Sequence, residues 1–220
     1  MKYAAIIFDM DGTIVDTENL WIQATKQLIE EHGIPYDDTT HTLIRSQIQG
    51  MAMHNACFLI QQTFSLPIPL EDLIARKIAI ARDLYEQELT FIRGFESFVQ
   101  TLKGRDLQAL AIATNADNYT ISATDRAVNL RQYFGPHIYG IESVGNKAKP
   151  HPDIYLFTAD RLGVDPVKCL AIEDSAHGIQ AAKDAGMYCI GINSAGDAQQ
   201  LRNADRIIQD YHDLSLDDLL

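Results

Sequence analysis

Short runs of apolar residues recur along the chain, and stretches with helical periodicity lie between them. The runs are apolar at nearly every position, which is typical of parallel strands covered on both faces. Strands that alternate with helices predict an α/β fold with a doubly wound parallel sheet, whose functional site lies at the carboxyl ends of the strands. The predicted strands are 4–8, 110–113, 170–172, 189–192 and 206–208.

The helical stretches between these strands carry their own end signals. Gly163 and Gly186 follow two of them directly, and a glycine at this place is typical of a helix carboxyl terminus. The acidic segment 210–218 is interpreted as a solvated last helix. The predicted helices of this part are 95–102, 119–128, 153–162 and 178–185.

One region breaks the alternation. From Thr17 to about Leu89 the sequence shows helical periodicity and no convincing strand. Apolar residues mark one helix face within 20–29, and further helices are predicted over 52–64 and 70–84. The sequence therefore predicts a helical domain, 17–89, inserted after the first strand of an α/β core that comprises 1–16 and 90–220.

The composition limits the partners of this chain. Its net charge of −12 argues against binding of nucleic acid through its phosphates. No apolar run is long enough to span a bilayer, and Asp9 and Asp11 interrupt the apolar start before a signal peptide is complete. Three widely spaced cysteines, at positions 57, 169 and 189, suit a reducing compartment. We expect a cytoplasmic protein with no nucleic-acid or membrane partner.

Two carboxylates follow the first predicted strand. Asp9 and Asp11 stand two residues apart, and Gly12 allows the chain to leave the strand in an unusual conformation. Carboxylates this close repel each other unless a cation lies between them, and Mg²⁺ is the usual hard cation with oxygen ligands. A capped turn between a strand and a helix is an alternative explanation for the motif alone.

Polar residues also follow later strands. Thr114 and Asn115 combine a small hydroxyl with free N–H groups before a helix, which is typical of an anion site and equally of an N-cap. Lys149 lies in a polar loop, where an ammonium would offset phosphate charge. Glu173 and Asp174 add a second acid pair. Helix capping, or ordinary solvation in the case of Lys149, explains each cluster alone, but capping does not easily explain their order along the chain.

These clusters together resemble the motifs of the haloacid dehalogenase superfamily, in the branch of β-phosphoglucomutase and phosphoglycolate phosphatase. The resemblance covers essentially the whole chain and implies a Rossmann-like core with a small four-helix cap after the first strand. The residues 178–186 also match that family's G-x-x-A-A-x-x-A-G pattern. The four motifs are matched in order by Asp9-Met10-Asp11-Gly12-Thr13, Thr114-Asn115, Lys149-Pro150 and Glu173-Asp174.

The resemblance implies a phosphatase that acts on a small phosphorylated metabolite, a sugar phosphate being favoured. Asp9 would attack phosphorus, and Asp11 would act as the acid and then the base. Mg²⁺ would be held by Asp9, the Asp11 backbone carbonyl and Asp174, with Glu173 either a ligand or the holder of a metal-bound water. The expected state is a monomer or a weak homodimer.

The remaining expected contacts concern the phosphate and the rest of the substrate. By resemblance, Thr114, Asn115 and nearby N–H groups bind phosphate oxygens, and Lys149 stabilises the transferring group. The cap would close over the site and select the substrate through residues near Gly50 and through Trp21. Core packing within the cap is an equally good explanation for Trp21 and Met53, and His54 is interpreted as a surface histidine rather than a ligand. Further cap candidates are Gln49, Met51, Met53 and His54.

Several alternatives share parts of this pattern. A hexose phosphomutase of the β-phosphoglucomutase type has the same motifs, but Met53 stands where those mutases carry an arginine and Trp21 where they carry a histidine. Arg45 could replace that arginine. Dehalogenation would leave Asp11 without a purpose. A phospho-Asp receiver module has no helical insertion, and a catalytically inactive scaffold is disfavoured because no core motif residue is missing.

Overall fold

The chain forms two compact units. The computed structural model describes residues 2–48, 53–104 and 107–215. One unit comprises Met1–Thr17 and Leu89–Leu220, and the other comprises Glu18–Glu88. The first unit is therefore built from two separate stretches of sequence, and the second from one. We call them the α/β unit and the helical unit.

A six-stranded parallel sheet forms the centre of the α/β unit, with the order β3-β2-β1-β4-β5-β6. Ile7 pairs with Ala111 of β2 on one side and with Ala171 of β4 on the other, so β1 lies between them. The carboxyl ends of β1, β2 and β4 therefore meet at one edge of the sheet. The strands are Ala5–Phe8 (β1), Ala109–Ala113 (β2), Ile138–Tyr139 (β3), Cys169–Glu173 (β4), Tyr188–Ile192 (β5) and Arg206–Ile208 (β6).

Four helices α1–α4 account for most of the helical unit, and helices α5–α9 belong to the α/β unit. The first group is Thr17–Glu31 (α1), Asp38–Ile48 (α2), Met53–Phe64 (α3) and Leu70–Glu88 (α4). The second group is Phe95–Leu102 (α5), Asn118–Val128 (α6), Arg131–Phe134 (α7), Asp153–Leu162 (α8) and Ala176–Asp184 (α9). Within the described ranges, no helix is both long enough and apolar enough to cross a membrane.

The two faces of the sheet bury different side chains, because successive residues of a strand point to opposite faces. On one face Ala5 and Ile7 pack in a cluster with residues of α8 and α9 such as Tyr155 and Ile179. On the other face the ring of Phe8 lies 5.9 Å from that of Phe95 and 5.6 Å from that of Phe134. Burial on both faces explains why the strands are apolar throughout, and it confirms the predicted α/β class.

The helical unit buries apolar residues of its own, among them Leu28 and Ile60, which are 0% exposed. The structure adds the helix α2, which the sequence analysis did not identify, and extends α4 to Glu88 where the prediction ended at 84. Its role as a cap stays a prediction, as do the cytoplasmic location and the oligomeric state.

Other differences concern short elements. The strand β3 was not predicted because two residues are too few for a recognisable apolar run. The helix α9 begins at Ala176 rather than at 178, because the Ser175 hydroxyl caps it by accepting the Gly178 N–H at 3.0 Å. The predicted last helix over 210–218 is wrong for its described part, where only a 3₁₀ turn, Tyr211–Asp213, follows β6. Residues 216–218 lie outside the described part of the chain.

Candidate active site

The loop after β1 carries the first acid pair. Asp9 follows the last residue of the strand, and its backbone N–H donates to Ile172 O of β4 at 2.9 Å. Gly12 has φ of +74°, and a Cβ placed there would lie 2.1 Å from Asp174 Oδ2. A side chain at position 12 would therefore push Asp174 away from the loop. The absence of a side chain at Gly12 therefore allows Asp174, which follows β4, to lie close to the loop of Asp9 and Asp11, which follows β1.

Burial dominates the electrostatics of Asp9 and Asp11. Burial raises the pKa of Asp9 to about 7, which the neighbouring ammonium of Lys149 opposes and Glu173 and Asp11 reinforce. Burial likewise raises the pKa of Asp11 to about 6, against Lys149 and a hydrogen bond with the Thr17 side chain. The folded chain therefore disfavours ionised carboxylates here unless further positive charge is bound.

Lys149 supplies the positive charge within this group. The side chain is 3% exposed, and its Nζ donates to Asp9 Oδ1 at 2.5 Å, to Glu173 Oε1 at 2.6 Å and to Ala113 O at 2.8 Å. An ammonium has three N–H donors, so each of them has an acceptor. Burial alone would lower the pKa of Lys149, but Asp9 and Glu173 outweigh burial and raise it. Lys149 is therefore a fixed cation.

The second acid pair lies at the end of β4. Glu173 is the last residue of the strand and is 0% exposed, and Asp174 follows it. Burial raises the pKa of Asp174 well above its usual value, and the charges of Asp9 and Glu173 raise it further. Asp9, Glu173 and Asp174 each offer a ligand atom within 4.8 Å of the others. This arrangement of oxygens fits a hard divalent cation.

Thr114 and Asn115 lie directly after β2. Thr114 is 2% exposed, and its Oγ1 accepts the N–H of Ala116 at 3.0 Å, which leaves the hydroxyl proton to be donated. Asn115 Oδ1 accepts the backbone N–H of Lys149 at 2.9 Å. Asn115 thus connects the loop after β2 to the lysine loop.

Two residues of this group were not singled out by the sequence. Tyr155 Oη donates to Glu173 Oε1 at 2.6 Å, and burial raises the pKa of this phenol well above its usual value, so it stays a donor. Tyr211 Oη donates to Thr13 O at 2.9 Å, directly after the acid pair. An aromatic residue in a helical pattern gives no sign of such a hydrogen bond. The sequence therefore did not predict that these two tyrosine hydroxyls donate to buried acceptors.

The predicted cap residues Trp21 and Met53 belong to the helical unit. Trp21 belongs to α1 of the helical unit and is 38% exposed, and the Nζ of Lys77 lies 5.9 Å from the centre of its ring. Met53 Sδ accepts the thiol of Cys57 at 3.7 Å. Gly50, Gln49 and Met51 lie outside the described residues. The substrate contacts of Trp21 and Gly50 stay predictions.

Comparison with known proteins supports the family that the sequence motifs indicate. A family model described as haloacid dehalogenase-like hydrolase matches residues 3–186, which is most of the chain. The chain belongs to this family. Membership confirms the family resemblance and the prediction that the protein is an enzyme of the hydrolase class.

Relatives within the family give more detail. The chain is 30% identical over 205 residues to the phosphorylated carbohydrates phosphatase of Thermotoga maritima, with 92% of each chain covered. It is 31% identical over 199 residues to the fructose-1-phosphate phosphatase YqaB of Escherichia coli, which covers 87% of this chain and 97% of that protein. The phosphatase names of these relatives agree with the predicted class of activity.

A mutase and a solved structure are also similar. The β-phosphoglucomutase of Bacillus subtilis is 28% identical over 218 residues, with 97% of this chain and 92% of that protein covered. A crystal structure of a HAD family hydrolase from Deinococcus radiodurans, with bound phosphate and sodium, has a TM-score of 0.79 at 27% identity. The alignment covers 96% of this chain and 93% of that chain. This likeness confirms the fold class.

The position of Gly178 generates a prediction. A Cβ placed on Gly178 would lie 1.9 Å from the carboxyl carbon of Glu173, a side chain already held by Lys149 and Tyr155. We expect Gly178→Ala to displace this carboxylate, to lower the free energy of unfolding by about 1–3 kcal/mol and to reduce phosphate release. Urea unfolding and a phosphate assay measure both effects.

Gln180→Ala is the matched control for this substitution. Gln180 is exposed on the same helix, α9, so its truncation changes the helix without touching Glu173. A Gly178→Ala protein as stable as the control would contradict the close approach of Gly178 to Glu173.

Proposed function

We propose that the chain is a Mg²⁺-dependent phosphatase that hydrolyses a small phosphorylated metabolite of the sugar phosphate class. The observation that carries the proposal is the buried contact of Lys149 with Asp9 beside the acid pair Glu173 and Asp174. The names of two relatives, which specify phosphorylated carbohydrates and fructose 1-phosphate, support the substrate class. The family membership of the chain supports hydrolysis.

Asp9 is the proposed nucleophile. Its carboxylate oxygen attacks phosphorus, the bond between phosphorus and the leaving oxygen breaks, and an aspartyl-phosphate forms. A water molecule then attacks this phosphorus, which releases inorganic phosphate and restores the carboxylate. Lys149 Nζ lies at hydrogen-bond distance from Asp9 Oδ1 and offsets negative charge on the transferring group.

Asp11 is the proposed acid and base. It donates a proton to the leaving oxygen in the first step, and in the second it takes a proton from the attacking water. The hydrogen bond with Thr17 orients its side chain. Thr114 is the proposed phosphate ligand, because its hydroxyl accepts from Ala116 and keeps a proton to donate. Asn115 is proposed to bind the same phosphate beside Thr114.

The donor set fits Mg²⁺. Asp9 and Asp174, together with the Asp11 backbone carbonyl, are the proposed ligands, and carboxylate and carbonyl oxygens are those that Mg²⁺ prefers. Glu173 is proposed to lie outside this ligand set, because Lys149, Tyr155 and Ser175 already donate to it. The metal would supply Lewis-acid stabilisation of phosphoryl oxygens and would compensate the buried carboxylates.

A hexose phosphomutase is the second candidate, because the Bacillus subtilis relative is one. A mutase must hold a second phosphate at the far end of its substrate. Met53 stands where those mutases carry an arginine, and Trp21 stands where they carry a histidine, so neither position supplies a cation for that phosphate. These two positions favour the phosphatase.

Removal of the metal is the first test. We expect phosphate release from sugar phosphates to stop in excess EDTA and to return when Mg²⁺ exceeds the chelator. Without a bound cation, the neighbouring carboxylates of Asp9, Glu173 and Asp174 repel one another. Release of phosphate is measured colorimetrically. Full turnover in EDTA would exclude the proposed role of the metal.

Substitution of the acid pair is the second test. We expect Asp9→Asn to abolish turnover while the protein stays folded, and Asp11→Asn to lose about 10²–10⁴-fold in kcat through loss of acid–base catalysis. Circular dichroism checks the fold. Asp125→Asn, which changes the ion pair between Asp125 of α6 and Arg131 of α7, serves as the control with normal activity. Near-normal phosphate release by Asp9→Asn would show that Asp9 is not the nucleophile.

The product distinguishes phosphatase from mutase. We expect β-glucose 1-phosphate, supplied with a trace of the 1,6-bisphosphate, to yield glucose and inorganic phosphate, because the proposed phosphatase transfers the phosphoryl group from Asp9 to water. Both products are followed over time, with fructose 1-phosphate as a parallel substrate. Glucose 6-phosphate accumulating faster than phosphate would establish the mutase instead.

A further inference from the structure

A fully buried tyrosine joins the charged group of the site, and the proposed reaction gives it no chemical step. Tyr155 lies in the first turn of α8 and is 0% exposed. Its Oη donates to Glu173 Oε1 at 2.6 Å, and the same oxygen accepts Lys149 Nζ at 2.6 Å. The Lys149 Nζ also lies 5.0 Å from the centre of the Tyr155 ring. Tyr155 therefore contacts both partners of this ion pair.

We propose that Tyr155 is a positioning residue that holds the Lys149 ammonium on Asp9 by fixing Glu173. The inference rests on the proposed phosphatase function, because Lys149 is the side-chain cation that is proposed to stabilise the transferring group. Tyr155 itself has no contact with Asp9 among the hydrogen bonds described for this site, so its influence on the nucleophile passes through Glu173 and Lys149.

The geometry of Glu173 explains why a further donor is needed. A lysine side chain has a flexible four-carbon stem, and its ammonium is placed only as well as its acceptors are. Ala113 O is fixed by the strand β2, but the Glu173 carboxylate can rotate about its own side-chain bonds. The Tyr155 hydroxyl fixes Oε1, and the Ser175 hydroxyl donates to Oε2 at 3.2 Å. The two hydroxyls thus fix both oxygens.

The ring and the hydroxyl of Tyr155 contribute separately. The ring packs among the buried residues between the sheet and α8, and it presents an aromatic surface to the Lys149 ammonium. The hydroxyl alone contacts Glu173. Tyr155→Phe keeps the ring and most of the volume and removes the hydroxyl, so it isolates the positioning contact from core packing.

The first measurement compares kcat and KM. We expect Tyr155→Phe to lower kcat by about 10- to 100-fold, the usual effect of losing a partner of a catalytic group, with KM for the sugar phosphate within about twofold of the wild type. Thr158→Val is the matched control, because Thr158 is 0% exposed on the same helix and its hydroxyl donates only to Ile154 O at 2.7 Å. The control should keep the wild-type kcat.

The second measurement is a double-mutant cycle with Glu173→Met, which keeps nearly the length of the side chain and removes both oxygen acceptors. If Tyr155 acts through Glu173, Tyr155→Phe should lower kcat by less than about twofold in the Glu173→Met background, because the Tyr155 hydroxyl has already lost its acceptor. The urea unfolding midpoints of the same four proteins should also be non-additive. This stability cycle reports the Tyr155–Glu173 contact without any turnover.

The outcomes separate the two proposals. A wild-type kcat in Tyr155→Phe, or an equal loss of kcat in both backgrounds, would overturn the positioning role. Additive unfolding midpoints would overturn the contact on which it depends. A wild-type protein that releases no phosphate from any sugar phosphate would instead refute the proposed function, and the unfolding midpoints would still decide the coupling of Tyr155 to Glu173.

Discussion

The site depends on the hydrogen bonds that the buried ammonium of Lys149 donates. This ammonium donates to Asp9 after β1, to Ala113 at the end of β2 and to Glu173 at the end of β4. These are the central, adjacent strands of the sheet, so one cation connects their carboxyl ends. A buried ion pair contributes little net stability compared with apolar packing, but loss of one partner leaves the other charge uncompensated and costs several kcal/mol, about 3–5. Removal of Lys149 would therefore leave the buried carboxylates of Asp9 and Glu173 without the cation that both of them contact.

The charge of the site also bears on how an acidic protein would bind the proposed phosphorylated substrate. The chain has a net charge of −12, yet the group at the sheet edge contains one lysine among carboxyls whose pKa values burial raises. A bound divalent cation would complete the charge balance, and together with Lys149 it would attract a phosphate that the rest of the surface repels. The proposed reaction would thereby have its positive charge confined to the group around Lys149.

Much of this arrangement could be predicted from the sequence, because parallel strands leave a strong apolar pattern and polar residues directly after them must meet at one edge. The strand β1 and the helices α5 and α8 have the predicted positions, or nearly so. The helix α2 is rich in polar residues and gave no clear apolar face. The Tyr155 hydroxyl could not be foreseen either, since a buried tyrosine in a helix has the same pattern as a phenylalanine. Its partner Glu173 lies 18 positions further along the chain, beyond the reach of any local sequence rule, and only the packing of α8 against the sheet brings the two side chains together.

The place of β1 in the sheet has a consequence for how the chain folds during synthesis. Its neighbours, Ala111 and Ala171, lie far along the chain from Ile7, whereas the helical unit Glu18–Glu88 is contiguous. The ribosome therefore completes the helical unit while β1, an entirely apolar segment, still has neither strand partner. Pairings of such long sequence separation form slowly, and an unpaired apolar strand is a template for pairing with other chains. The strand that leads into Asp9 is thus the part of the nascent chain most exposed to misassembly.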